Sequence, residues 1–269
     1  MGRNKRGFID NDFYDREAAY WWSATESPLA IIRYMMNPIR FAYVIRQLVE
    51  LSYDYRSRKV LDLGCGGGFL TEEIAKFGLD TTGVDPSVPS LREARKHAKA
   101  LDLAITYQEG AGEALDFPDN SFDMVFCLDV LEHVRDFRTV VSEISRVLVP
   151  GGFFFFETVN RTILSYLVVI FFMQEFPLTR VMPADIHNWR YFIRPGELSQ
   201  AARTAGMKVE DMRGVLPGLS FVYHLPRLPK LVADKIDFRD LCALFRCHET
   251  FFKNLCYVGY ASKPSRLAA

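Results

Sequence analysis

Between residues 58 and 160 the chain alternates short apolar, β-branched runs with segments whose apolar positions recur at helical spacing. The strand-like runs are Lys59–Leu63, Thr81–Asp85, Ala104–Tyr107, Phe122–Leu128 and Phe153–Phe156; the fourth is almost continuously apolar, as a strand covered on both faces must be. Between them, Leu70, Ile74 and Phe77 mark a helix closed by Gly78, and Leu91, Ala94, Ala98 and Leu101 mark another. Phe137, Val140, Val141, Ile144, Val147 and Leu148 mark a third, which Pro150-Gly151-Gly152 ends. Pro195 with Leu198, Ala201, Ala202 and Ala205 adds a helix, and Met207–Arg213 and Cys256–Ser262 bring the predicted strands to seven. Strands alternating with helices of this length predict right-handed crossovers and a mostly parallel α/β sheet with helices on both faces.

Upstream, residues 11–51 read as two helices. Asn11 or Asp12 caps the first, which carries Phe13, Tyr14, Ala18, Tyr20, Trp21 and Trp22. Adjacent tryptophans point apart on a helix, so one enters the core while the other covers a cleft or meets substrate. Asn37-Pro38 opens the second, with Phe41, Ile45, Leu48 and Val49 on one face. Arg40 falls in its first turn, where a cation opposes the helix dipole; it is either a plain surface arginine or held by an anion such as a ligand carboxylate.

Two inserts break the pattern. In residues 161–193, Ile163 to Met173 is apolar all round, yet far shorter than the roughly 20 residues that cross a bilayer. It reads as a buried lid helix, or as one that lies in a membrane interface or lines an apolar cavity. Residues 214–255 are rich in aromatics and carry Pro217, Pro226 and Pro229. The whole chain, 1–269, is read as one domain, with core segments 58–160, 194–213 and 256–262.

Composition changes this picture little. Lys plus Arg equal Asp plus Glu at 33 each, which argues against a nucleic-acid partner. Cys65, Cys127, Cys242, Cys247 and Cys256 form no C-x-x-C pair and read as reduced thiols. Residues 1–10 are a basic tail without the apolar run of a secretory signal, so the expected location is cytoplasmic.

The chemistry concentrates where the first strand meets its helix, at Gly64-Cys65-Gly66-Gly67-Gly68. Glycines there allow positive φ and let backbone N–H groups approach a ligand. A dinucleotide fingerprint wants a third glycine at position 69, which is Phe69. Instead Asp62 stands before the turn, placed to meet an ammonium group, and Asp85 ends the second strand, placed to accept two ribose hydroxyls. S-adenosylmethionine has that ammonium and NAD does not. Gly64–Gly68, Asp85, Gly110–Glu113 and Leu128–His133 all lie at carboxyl ends of predicted strands, where such sheets bind ligands.

Val60–Gly68, Gly83-Val84-Asp85, Phe122–Val125, Leu131–Val134 and Leu148–Gly152, in this order, resemble the class I S-adenosylmethionine-dependent methyltransferases. Tyr20-Trp21-Trp22, Asn37–Arg40, Thr158–Thr162 with Ser165-Tyr166, and His187-Asn188-Trp189 with Phe192, Ile193 and Pro195 are similar to the ubiquinone-biosynthesis O-methyltransferases, which methylate phenolic hydroxyls of polyprenylated rings. The resemblance implies a Rossmann-like fold with a lid built from the N-terminal helices and inserts. It also implies cofactor contacts from Arg40, Gly64, Asp85 and Leu128, within a cradle that includes Asp62, Cys65, Gly66, Pro86, Gly112 and Glu113. A Mg²⁺ ion on Asp129, Glu132 and His133 is implied too, with aspartate where the family has glutamate.

Methyl transfer from a sulfonium needs orientation and a deprotonated acceptor. His133 is the first candidate base, Glu132 its neighbour in the catalytic set, and His187 a second base that closes over the site from the insert. The alternative is that Glu132 and His133 only cap the loop after the fourth strand. His97, His224 and His248 read as ordinary surface or packing residues. The apolar lid and aromatic insert favour an apolar or prenylated acceptor, with peripheral membrane contact through residues 163–173. A C-methyltransferase of an isoprenoid or polyketide, and a non-catalytic S-adenosylmethionine-binding partner of a biosynthetic complex, are the competing readings.

Overall fold

The computed structural model describes residues 9–22, 27–218, 237–244 and 246–265. The strands are β1 (Lys59–Leu63), β2 (Asp80–Asp85), β3 (Ile105–Glu109), β4 (Phe122–Leu128), β5 (Leu148–Val159), β6 (Lys208–Pro217), β7 (Cys247–Thr250) and β8 (Cys256–Ser262). They form one sheet in the order β3-β2-β1-β4-β5-β8-β6-β7. The β3-to-β5 side is parallel, whereas β8 runs antiparallel to β5 and β6, and β7 antiparallel to β6. The order reverses between β1 and β4, which opens a crevice at their carboxyl ends.

Helices α1 (Asp12–Arg16), α2 (Leu29–Ile31), α3 (Asn37–Glu50), α4 (Phe69–Lys76), α5 (Val88–Ala100), α6 (Phe137–Val147), α7 (Ile163–Ser165), α8 (Pro195–Thr204) and α9 (Phe238–Leu244) accompany the sheet. The phenylalanine run of β5 shows why the layers close: Phe154 and Phe156 pack with Val140, Ile144 and Leu198 on one face, and Phe155 with Tyr43, Leu48 and Ile74 on the other. Each such ring, fully buried, contributes about 1.5–3 kcal/mol relative to exposure.

Several elements depart from the sequence reading. The sheet has eight strands among the described residues, not seven, because β6 continues to Pro217 and offers its free edge to Cys247–Thr250 of the second insert. Asn11 makes no side-chain cap, and α1 stops at Arg16, giving way to a 3₁₀ turn at Ala18–Tyr20. This break lets Trp21 lie on the glycine turn while Trp22 stacks on His97 at 3.3 Å. α3 does begin at Asn37-Pro38, but Asn37 is no cap: α2 runs through a π-helical turn, Ile32–Met36, straight into α3, with Asn37 itself helical at φ −58°, ψ −40°. Pro38 has no N–H to give, so the hydrogen-bond ladder is one donor short directly after the π turn. Pro150-Gly151-Gly152 ends no helix either, since α6 stops at Val147 and Leu148 already pairs with Phe122.

The apolar lid is α7 continued as a π helix, Tyr166–Glu175. Val169 and Ile170 are buried, whereas Ile163, Leu164 and Leu167 are exposed. Among the described residues no helix is long and apolar enough to cross a membrane. Of the second insert, Pro226, Pro229, His224 and the rest of 219–236 lie outside the described residues, as do the basic residues 1–8 of the tail.

Candidate functional site

A cavity of about 410 Å³ opens at the carboxyl ends of β1, β2 and β4. All ten residues expected to cradle a cofactor line it: Arg40, Asp62, Gly64, Cys65, Gly66, Asp85, Pro86, Gly112, Glu113 and Leu128. Gly64, Gly66 and Gly68 have φ of +74°, +51° and +87°, a region that costs other residues strain. A Cβ on Gly64 would overlap Val130, and one on Gly66 or Gly67 would overlap the Trp21 indole. The glycines thus let Trp21 close down on the turn, and its Nε1 donates to Ser90 Oγ at 2.8 Å.

The two aspartates are held differently. Asp85 accepts from Gly66 N and Ser87 N, both at 2.8 Å, which fixes its carboxylate at the turn with lone pairs to spare. Asp62 accepts from Thr71 Oγ1 at 2.6 Å. Burial pushes the Asp62 carboxyl up to about 6, with Thr71 opposing.

Below the cavity lies a buried ionic floor. Arg40 is only 3% exposed and is no surface arginine; its Nη2 meets Glu157 at 2.6 Å and Asp129 at 3.0 Å. Its Nε is buried without a partner, so the guanidinium keeps one donor for a ligand anion. Burial alone would raise Asp129, but Arg40 followed by His133 and His187 brings it down to about 2; it is the more exposed carboxylate, at 27% against 1% for Glu157. Burial raises Glu157 to about 7 against the pull of Arg40. Glu132 is raised well above its usual range by burial, then by Asp129 and Glu157, and Thr158 Oγ1 donates to it at 2.8 Å.

Glu132 is held apart from the open cavity. One of its carboxyl oxygens turns to Thr158 and the other is buried without a partner. The implied Mg²⁺ ligands are not assembled: Asp129 faces Arg40 and Glu132 faces Thr158. Among the described residues no group of three or more His, Cys, Asp or Glu is arranged to hold a metal ion.

His133 and His187 do come together, with ring centroids 5.0 Å apart. Burial lowers both, with Asp129 partly offsetting it at His133, while His187 falls to about 3 with help from His133. Both rings are therefore neutral near pH 7, and the Nδ1 of each is buried without a partner. Gln174 fixes the His187 backbone at two points, accepting from its N–H at 2.8 Å and donating to its carbonyl at 3.0 Å. Asn11 Nδ2 donates to His133 O at 3.0 Å, tying the N-terminal segment to the site.

A second cavity, of about 160 Å³, adjoins the first through Tyr14, Ile32 and Asp129, which line both. Apart from Asp129, His187 and the Tyr14 hydroxyl its walls are apolar or thiol, including Met35, Met36, Val168, Val169, Met173, Leu241 and Cys242. His133 lies on the polar cavity and His187 on the apolar one.

The description "methyltransferase domain" matches residues 61–156. A solved S-adenosylmethionine-dependent methyltransferase from Methanosarcina mazei superposes with a TM-score of 0.56 at 18% identity, covering 81% of this chain and 98% of that one. One from Mesorhizobium loti gives 0.53 at 20% identity, with 81% and 96% covered. The ubiquinone biosynthesis O-methyltransferase of Methylococcus capsulatus is 36% identical over 203 residues, 75% of this chain and 82% of that protein. The one from Alkalilimnicola ehrlichii is 38% identical over 205 residues, 75% of this chain and 79% of that protein. The chain belongs to the ubiquinone biosynthesis O-methyltransferase family. It is an S-adenosylmethionine-dependent methyltransferase with the class I fold.

The cradle of this methyltransferase fits S-adenosylmethionine: a glycine turn that admits no Cβ, two buried aspartates and an orphaned guanidinium N–H. Sequence reasoning missed four of the enzyme's site residues: Glu157, Thr71, Gln174 and Tyr14. Only Glu157 left a usable signal, a lone acid closing four phenylalanines in a buried strand, where a carboxylate must find a cation.

Proposed function

We propose that this methyltransferase transfers a methyl group to the phenolic oxygen of an acceptor whose hydrocarbon tail lies in the apolar cavity. The observation that supports it is the shared wall: Tyr14, Ile32 and Asp129 border both cavities, and the two neutral histidines flank that border. S-adenosylmethionine supplies the methyl group on a cationic sulfur. Asp62 meets its ammonium, Arg40 Nε its carboxylate and Asp85 its ribose hydroxyls, while Pro86, Gly112, Glu113 and Leu128 enclose the nucleoside.

His133 takes the phenol proton at a ring nitrogen. Its imidazolium then faces the ionised Asp129, which favours the charged ring. His187 orients the hydroxyl from the apolar side and stays neutral. Tyr14 stands edge-on to His133 at 5.8 Å and, with Trp21, shields the junction from water.

The outer face of the same region is suited to a membrane. Ile163 is 78% exposed, Phe251 78% and Phe252 68%, and Thr162 Oγ1 donates to Asn254 O at 2.6 Å, drawing the two segments together. With Leu164 and Leu167 they make an apolar surface suited to a bilayer interface.

The test is turnover of a prenylated catechol, with the product identified by mass spectrometry. His133→Ala should cut kcat by about 10²–10⁴-fold and leave S-adenosylmethionine affinity unchanged; an unchanged rate contradicts the role. EDTA should leave turnover in place. A loss that Mg²⁺ reverses would show that Asp129 exchanges Arg40 for a cation.

A further inference from the structure

We infer that α9 of the second insert is the end wall of the acceptor cavity and sets the length of hydrocarbon tail that the acceptor can carry. The inference rests on the function proposed above and adds the part of the chain that makes the selection.

The apolar cavity has a polar end, marked by Asp129 and His187. The cavity thiols lead away from it. Cys256 pairs with Val159 on β5 and with Val215 on β6, and Cys247 pairs with Pro217 from the other side of β6, so the lining steps outward across the sheet to β7, the strand that follows α9 in the chain. Cys242 and Leu241 are adjacent on α9, are each 4% exposed, and both line the cavity. A tail that starts at the histidines and follows these thiols ends against α9.

The two sides of the cavity differ in how far they can yield. One is made of the π-helical segments Ile32–Met36 and Tyr166–Glu175, which supply Met35, Met36 and Met173. Unbranched thioether side chains on irregular helices re-pack readily around a guest. The other side is anchored. Asp237 caps α9, accepting from Arg239 N at 2.7 Å and from Leu241 N at 2.9 Å. β7, which supplies Cys247, is held by its ladder to β6 and by the Arg46–Glu249 pair, two bonds of 2.7 Å. Width is therefore adaptable, whereas reach is fixed by Leu241 and Cys242.

Each methylene that moves from water into such a cavity should tighten binding about fourfold, until the tail meets the wall. The experiment compares full-length wild type with Leu241→Ala, which removes wall, and Cys242→Leu, which adds to it. The probes are catechol and a series of alkylcatechols of increasing chain length. Both kcat/KM and calorimetric affinity, the latter with S-adenosylhomocysteine present, are read against chain length.

In wild type both quantities should rise and then level off. Leu241→Ala should move the plateau to longer tails and Cys242→Leu to shorter ones, while the affinity for S-adenosylmethionine, whose cavity neither residue lines, stays put. A plateau at the same length in all three proteins, with cofactor affinity intact, overturns the inference. So does the absence of any rise with tail length. Tails that bind with a shifted plateau but are never methylated would sustain α9 as the wall and refute the proposed reaction.

Discussion

Asp62 shows how a single burial sets a testable pH response. Its carboxyl is buried, bonded to Thr71, and pushed up to about 6. In the proposed binding mode Asp62 meets the ammonium of the cofactor, which attracts only the ionised form, and the ionised fraction falls as pH falls. Affinity for S-adenosylmethionine should therefore be constant above about pH 7 and drop by up to ~10-fold per pH unit below about 6. Asp62→Asn should weaken binding at neutral pH and flatten this profile, as followed by calorimetry between pH 5 and 8. At this scale the sequence was most informative where backbone geometry demanded a residue type, as at Gly64 and Gly66, and where an acid ended a strand, as at Asp85. It was least informative where a charge is answered by a distant residue. Arg40 finds Glu157 across 117 positions, and nothing near Arg40 announces that partner.

Elements with an unbroken apolar period were legible: α5, α6, α8 and the central strands fall within a few residues of the runs that predict them. Elements shaped by tertiary contact were not. The π-helical turns, one directly before Pro38 and both lining the apolar cavity, leave the apolar spacing of the sequence nearly unchanged. β7 has four residues and exists because β6 leaves an edge to cover. The helix beginning at α7 carries its own prediction. Ile163 and Leu167 are exposed large side chains on a segment whose opposite side, Val169 and Ile170, is buried. Replacing both exposed residues by glutamate should remove most binding to anionic lipid vesicles in a flotation assay, while turnover of a short soluble catechol is kept. Retained flotation would separate the exposed patch from any membrane role.

At the scale of the molecule, the parallel half of the sheet builds the cofactor cradle, and the antiparallel half with the inserts builds the apolar cavity. The cradle was readable because its residues are local to strand ends. The acceptor side was not, because its walls come from α2, the π turns, α9 and β8, which are far apart in sequence. The claim on which the rest depends is that the crevice between β1 and β4 holds a sulfonium nucleoside through Asp85 and the glycine turn. Isothermal titration of the full-length protein tests it most directly. The account predicts saturable heat with S-adenosylmethionine, weakened tenfold or more by Asp85→Asn, in line with about 1.5–3 kcal/mol for a hydrogen bond to a charged group. No heat with S-adenosylmethionine, or an affinity that ignores Asp85→Asn while the fold is intact, would contradict it.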